Sequence, residues 1–237
     1  MLTIRPELKK EFKGYSVSPE IIMMFVYMKL RFSLSYRDLE EMMSLRGASI
    51  DHSTVQRWIL KFAPLIEREV RKRKKPICKR WRMDETYVKI KGKWFYLYRA
   101  VDSEGNTIDF LLRERLDKAA ALAFFIKAIK NNGRPTNVNI DKSGSNNAAL
   151  EACNKGVKKK RQITIRQIKY LNNIIEQDHR FIKKRTKPML GFKSFRSAKI
   201  TLAGIESVRM IQKGQVHGFN ESKSTFYNFA LLMEKSA

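Results

Sequence analysis

The run Arg71-Lys72-Arg73-Lys74-Lys75, closed by Pro76, marks a change of hydrophobic period within the chain. Before it, apolar residues recur every three to four positions, the spacing of amphipathic helices. Beyond it they gather in short aromatic and β-branched runs separated by turn residues, the pattern of strands. An all-helical and an all-strand fold are both excluded. The 237 residues must join a helical region to an α/β region, in one or two domains.

In the helical region, Glu20–Leu30 is apolar-rich and ends in the basic residues Lys29 and Arg31. Ser35 opens a second helix carrying Leu39, Met42, Met43 and Leu45, closed by Arg46-Gly47. Ser53-Thr54 is expected to cap a third, from Val55 to about Val70, with Val55, Ile59, Leu60, Phe62 and Ile66 apolar. Helix, glycine-containing turn, helix over 35–70 is the helix-turn-helix pattern, whose second helix enters the major groove. His52, Ser53, Gln56 and Arg57 would then reach base edges, with Trp58 an apolar anchor. An ordinary helical hairpin covering a core has the same spacing, and both readings stand.

Past Pro76 the expected order is strand 79–90, turn 91–93, strand 94–101, turn 102–106 and strand 107–113. A helix capped by Asp117 follows, then a strand at 136–141, a helix near 146–153, a brief strand at 162–165 and a long helix over 167–184. An antiparallel meander joined to parallel strands through helices is the order of a ribonuclease-H-like core, a mixed five-stranded sheet. The expected divisions are a helical region with basic linker over 1–76, an α/β catalytic domain over 77–190, and a C-terminal helical segment over 191–237.

Charge narrows the partner. Forty-nine Lys and Arg against 23 Asp and Glu leave a net charge of +26, while 43% of residues are hydrophobic. Such a chain has a core and a polyanionic partner, nucleic acid first. In that setting Arg71, Lys72 and Arg73, and the lysines of 156–166, read as phosphate contacts. A membrane span needs roughly 20 uncharged apolar residues, and the best run, Ile21–Met28, stops at Lys29. The N-terminal segment has the charges of Arg5, Glu7, Lys9, Lys10 and Glu11 rather than a signal peptide pattern. Cys78 and Cys153 form no CxxC pair, which excludes a zinc ribbon and fits a reducing cytoplasm.

Three acids stand out against that charge. Asp84 lies inside the first strand, Asp141 closes the fourth, and Glu176 lies in the long helix. At 100° per residue, Glu176 shares a face with Asn173, His179, Arg180 and Lys183, while Asp178 points about 200° away. Three convergent carboxylates suit a pair of Mg²⁺ ions in phosphoryl transfer, with Lys183 near the DNA phosphate. Surface acids paired with the abundant cations are the alternative.

MDETYVKIKGKWFYLYRAVDSEGNTIDFLLRERLD (83–117) resembles the catalytic-domain opening of bacterial insertion-sequence transposases with an Asp-Asp-Glu active site. KYLNNIIEQDHRFIKKR (169–185) resembles their glutamate segment, and LSYRDLEEMM (34–43) with HSTVQRW (52–58) their helix-turn-helix. The resemblance is to the compact IS-six family and covers most of the chain. It implies that the catalytic, metal-holding acids fall on Asp84, Asp141 and Glu176, the last two separated by 34 residues, with the family's basic residue on Lys183. It also implies Mg²⁺ (or Mn²⁺), two ions per site, and the joining of a 3′-OH at the element's end to target DNA, typically forming cointegrates. Implied partners are double-stranded DNA, as transposon ends and target, and further copies of the chain in a homodimer or larger synaptic complex. The implied location is the bacterial cytoplasm, at the nucleoid when DNA-bound. A helix-turn-helix regulator and a nuclease without strand transfer are the competing functions. Lys142-Ser-Gly-Ser-Asn146 after Asp141 and the lysine-rich 156–166 depart from the family pattern.

Overall fold

A computed structural model describes residues 4–45, 47–220 and 222–234, so Arg46 of the expected helix stop lies outside it. The chain forms two compact units. One takes the residues up to Lys75 together with those from Phe195 onward, the other Pro76–Ser194.

The first unit is helical: α1 (Pro6–Lys9), α2 (Pro19–Arg31), α3 (Tyr36–Ser44) and α4 (His52–Lys72), later joined by α8 (Phe195–Gln212) and α9 (Thr225–Leu231). Local chemistry sets the starts. The Ser35 hydroxyl accepts from Asp38 N at 3.0 Å while the Asp38 carboxylate takes Ser35 N at 2.6 Å, a reciprocal capping box. α4 starts earlier than the sequence pattern predicts. Asp51, not Ser53-Thr54, is its cap and accepts Ser53 N at 2.7 Å, a carboxylate suiting the positive end of the helix. Trp58, Ile59, Phe62 and Ile66 of α4 are buried against α2 and α8. Gly204 permits that packing: a Cβ there would lie 2.7 Å from Leu30 Cδ2 and 3.0 Å from Ala63 Cβ.

The basic run is not a free linker. α4 continues through Lys72, and Lys75 N donates to Gln215 O at 2.8 Å beside a bridge of Lys74 to Val216.

The second unit has a five-stranded sheet in the order β3-β2-β1-β4-β5. β1 (Arg80–Ile90), β2 (Lys93–Asp102) and β3 (Thr107–Arg113) form an antiparallel meander, and β4 (Asn137–Asn139) and β5 (Thr164–Arg166) add in parallel. Lys91 and Gly92 turn the first hairpin with φ of 49° and 79°, the left-handed pair that matches strand twist. α5 (Lys118–Asn132) and α6 (Gly144–Asn154) cross over on one face, burying Phe124, Phe125 and Leu150 on Trp81, Met83, Tyr98 and Val138. α7 (Asn173–Thr186) packs on the other face. This is the ribonuclease-H-like core expected from the element order.

Two elements are shorter than their sequence patterns. β4 ends at Asn139, and the helix expected from 167 is a 3₁₀ turn, Lys169–Asn172, before α7. Asn139 explains the second. Its amide donates to Ile168 O at 3.0 Å and Asn172 Oδ1 at 2.7 Å and accepts Ile168 N at 3.1 Å, holding the segment in a non-helical path.

Candidate active site

Strand alternation sorts the polar residues of β1. Met83 and Glu85 face α5 and α6; Arg82 and Asp84 face α7, with Asp84 opposite Arg99 of β2. Arg99 is fully buried and binds Asp178 of α7 at 2.7 Å. Asp178 lies between the buried Ile175 and Ile182, and the sheet supplies the partner for this buried acid of α7. This pair holds the helix to the strand. Glu176, in the first turn of α7, and Lys183 are exposed, and the charges of both act on Asp84.

Asp84 is pushed up to about 6, first by burial, then by the negative fields of Asp141 and Glu176, against the Glu85 N–H and the Lys183 ammonium. Asp84 is thus within electrostatic reach of Asp141, Glu176 and Lys183, the other groups singled out from the sequence. Asp141, just beyond β4, is exposed and accepts Ser143 N at 3.1 Å and Asn146 Nδ2 at 3.3 Å. Glu176 is exposed at the helix N-terminus, where the macrodipole favours a carboxylate. Among the described residues, the acid and histidine trio whose ligand atoms lie within 4.8 Å of one another is Glu40, Asp51 and His52 in the helical unit. The oxygens of Asp84, Asp141 and Glu176 are more widely spread.

Three side chains around Asp84 escape the sequence reading or change meaning. Glu85 is pushed up to about 7 by burial, with the Asp84 and Asp141 charges adding to it and a hydrogen bond from Asn146 opposing. Asn146, fully buried, therefore links Glu85 to Asp141. An Asp-Glu pair in mid-strand, with one acid on each face, is the signal in the sequence. His179, on the face of Glu176, has Nδ1 3.7 Å from Asp84 Oδ2. Burial, then the charges of Arg99 and Lys183, push it down to about 3, so it stands neutral beside the carboxylate. Among the described residues, Glu85 Oε1, Asn146 Oδ1 and His179 Nε2 are buried without hydrogen-bond partners. Glu85 and Asn146 leave theirs on the α6 side of β1 and His179 on the α7 side, so polar atoms without partners lie on both faces of the strand that carries Asp84.

Below Asp84 on the same face, Arg80, Arg82 and Arg166 line a cavity of about 290 Å³ with Asn137, Asn139 and Leu171. Arg82 donates to Asp102 O at 3.1 Å, and its Nε has no partner among the described residues.

In the helical unit, Ser53, Gln56 and Arg57 occupy the first two turns of α4. Ser53 and Arg57 are exposed and Gln56 is half-buried. Arg57 Nη2 donates to Thr54 Oγ1 at 2.7 Å. The proposed phosphate ligands at the end of α4 are engaged internally: Arg71 with Glu67 at 2.8 Å, Lys72 with Glu69 at 3.1 Å and Arg73 with Leu231 O at 3.4 Å.

A family model described as a DDE domain (DDE_Tnp_IS240) matches residues 78–215. The transposase for the insertion sequence-like element IS431mec of Staphylococcus aureus strain Mu50 is 41% identical over 214 residues, covering 88% of this chain and 94% of that protein. The transposase for insertion sequence element IS257 in transposon Tn4003 of S. aureus has the same identity and coverage. Among solved structures, the HTLV-2 integrase catalytic core domain in complex with magnesium is 16% identical, with 66% of this chain and 97% of that chain covered at a TM-score of 0.46.

Proposed function

The chain belongs to the Asp-Asp-Glu transposases of bacterial insertion sequences, within the IS-six family, and from that premise we propose which of its residues carry the reaction. It is a DNA transposase, a phosphoryl-transfer enzyme. In the proposed site Asp84, Asp141 and Glu176 hold divalent cations, and Lys183 meets the phosphate being attacked. The observation that carries this reading is the placement of Asp84 in mid-strand β1, facing α7 with His179 Nδ1 at 3.7 Å, beside the parallel strand β4 that leads into Asp141; the Asp141 and Glu176 charges both act on it.

The donor set fits the ions. All three ligands are hard oxygen donors of the kind Mg²⁺ and Mn²⁺ take, and unsatisfied acceptors at Glu85 and Asn146 lie beside them. Donors spread beyond the reach of one ion suit a pair, about 3.5–4 Å apart in two-metal sites. When bound, such ions supply Lewis-acid stabilisation of the charge that develops on the phosphoryl oxygens. The protein's own groups do the rest. Neutral His179 and the Arg99–Asp178 pair fix Asp84 and α7 so that three elements meet at one phosphate. Asn146 orients Asp141 and Glu85, and Lys183 with Arg80, Arg82 and Arg166 receive the DNA backbone. In cleavage, a water oxygen bonds to phosphorus as the bond to the 3′-oxygen breaks, leaving a 3′-OH. In joining, that 3′-OH attacks a target phosphate and displaces the next 3′-oxygen.

The α3–α4 pair would bind the terminal inverted repeats, with Ser53, Gln56 and Arg57 at base edges and Arg71, Lys72 and Arg73 at phosphates. Synapsis of two ends calls for a homodimer or larger assembly on DNA. No helix among the described residues is long and apolar enough to cross a membrane, and the proposed location is the bacterial cytoplasm. Replacing Asp84 with Asn should abolish Mg²⁺-dependent strand transfer while end binding persists. A variant that still joins ends would overturn the assignment of the acids.

A further inference from the structure

Beyond Glu85, the α5 side of the β1–β2 hairpin carries three neighbouring aromatic rings, Tyr87 and Trp94 exposed and Tyr96 half-buried at the edge of the core. Tyr87 and Tyr96 are cross-strand partners with ring centroids 5.5 Å apart, and Trp94 stands 6.3 Å from Tyr87 at an interplanar angle of 79°. Tyr87 is 56% exposed and Trp94 59%. One strand step back, Tyr98 is wholly buried and stacks on Phe124 of α5 at 6.0 Å. The sequence alternation of Trp94, Tyr96 and Tyr98 predicts packing beneath a helix for all three; it holds for Tyr98 and in part for Tyr96, which is half-buried against the same core, while Trp94 is exposed. Scattered exposed apolar residues are ordinary, but three touching rings on a pinned hairpin are not. The hairpin end is held: Lys91 N donates to Phe192 O at 2.9 Å, and Phe192 N to Lys89 O at 2.8 Å.

The rim identifies the ligand. Lys89 is the cross-strand neighbour of Trp94, Lys91 and Lys93 flank the turn, and Arg113 lies opposite Tyr96 on β3. All four are exposed, and none forms a salt bridge among the described residues. A second copy of this hairpin would bring the same cations against themselves. A nucleic acid strand supplies the opposite charge, and its bases supply flat faces that stack on aromatic rings whatever their sequence. In a duplex those faces are already stacked, so an unpaired stretch is the occupant that uses both features.

We propose that Tyr87, Trp94 and Tyr96 form a stacking platform for unpaired nucleobases of a DNA strand whose phosphates meet Lys89, Lys91, Lys93 and Arg113. The platform deepens the transposase reading and rests on it. Tyr87 is two residues from Glu85 on the same face, about 7 Å along the strand, and three residues from Asp84 in β1. Bases splayed from a DNA end would be held on the α5 side of the sheet that carries Asp84, keeping the cleaved strand from re-pairing.

The test needs no turnover. Trp58 and Trp81 are 1% and 2% exposed, so Trp94 dominates the solvent-accessible tryptophan emission. In metal-free buffer a mixed-sequence single-stranded oligonucleotide should quench that emission in the full chain. The doubly substituted Tyr87→Ala, Trp94→Ala protein should bind the single strand about tenfold more weakly, with its duplex affinity hardly changed, and Trp94→Phe should recover most of the loss. Equal weakening toward single strand and duplex, or no weakening, would overturn the platform. So would a change in oligomeric mass with DNA binding intact, which would assign the strip to a second copy. Failure of the wild-type protein to join DNA ends in Mg²⁺ would sink the catalytic assignment, while the metal-free single-strand measurement would still decide the platform.

Discussion

Glu69 of α4 and Glu85 of β1 are both carboxylates drawn out of water, and their surroundings treat them in opposite ways. Glu69, 2% exposed, receives Arg5 at 2.7 Å, Lys72 at 3.1 Å and Arg68 at 3.3 Å. Burial alone would raise its pKa, yet hydrogen bonds from Arg5 and Lys72 hold it down at about 2. Glu85 has one amide, from Asn146, and two negative neighbours, and it rises to about 7. In a chain of net charge +26, cations are plentiful, so an acid left without one reflects placement rather than shortage. The satisfied acid builds the helical unit. The unsatisfied group around Asp84 costs the metal-free fold stability and gives a bound cation something to neutralise.

That contrast breaks first at Glu69. Glu69→Gln leaves Arg5, whose side chain is 15% exposed, facing a neutral amide. Removing one partner of a buried pair costs about 3 kcal/mol, which should lower the melting temperature by roughly 10 °C in calorimetry. A shift within experimental error would mean that the three cations add nothing to the helical unit. On the other side, Mg²⁺ should stabilise the wild-type chain by about 2.7 kcal/mol at a hundred times its Kd. The same titration of Asp84→Asn should give little or no shift. An equal shift in both proteins would place the ions elsewhere.

What could be read from sequence and what could not divide along the length scale of the chemistry. The Ser35 capping box, the Asp117 cap and the Lys91-Gly92 turn act within four residues, and each is legible in its own segment. The five-strand order follows from the sequence of elements. Asp84 is conspicuous because an acid in mid-strand has no local reason to be there. Arg99 and Asp178 lie 79 residues apart, and nothing near either names the other. The 3₁₀ turn ahead of α7 depends on Asn139, 29 residues before Ile168, so helical periodicity overruns it. Asp51 is a different kind of miss: Asp, Ser and Thr at 51–54 all suit a cap, and the backbone hydrogen bond decides among them.

The smallest expected effect separates the two carboxylates by the sign of their pH dependence. Glu69 has its folded pKa, about 2, below the ordinary carboxylate value of 4.5, so its stabilisation is complete above 4.5 and fades as pH falls toward 2. Glu85 has its folded pKa, about 7, above 4.5, so the unfolded chain releases its proton first as pH rises. Its ionisation therefore lowers stability progressively between pH 4.5 and 7, and the loss is constant above. Melting curves of the metal-free protein should fall by a few degrees across that window, and Glu85→Gln should flatten the fall. Asp84, raised to about 6, pulls the same way and leaves a remainder that Asp84→Asn removes. Mg²⁺ should flatten the wild-type profile too, because a bound cation favours the ionised acids that burial disfavours. A profile that rises from pH 4.5 to 7 in the metal-free wild type would show that Glu85 and Asp84 are satisfied as Glu69 is, and the contrast between the two units would fail.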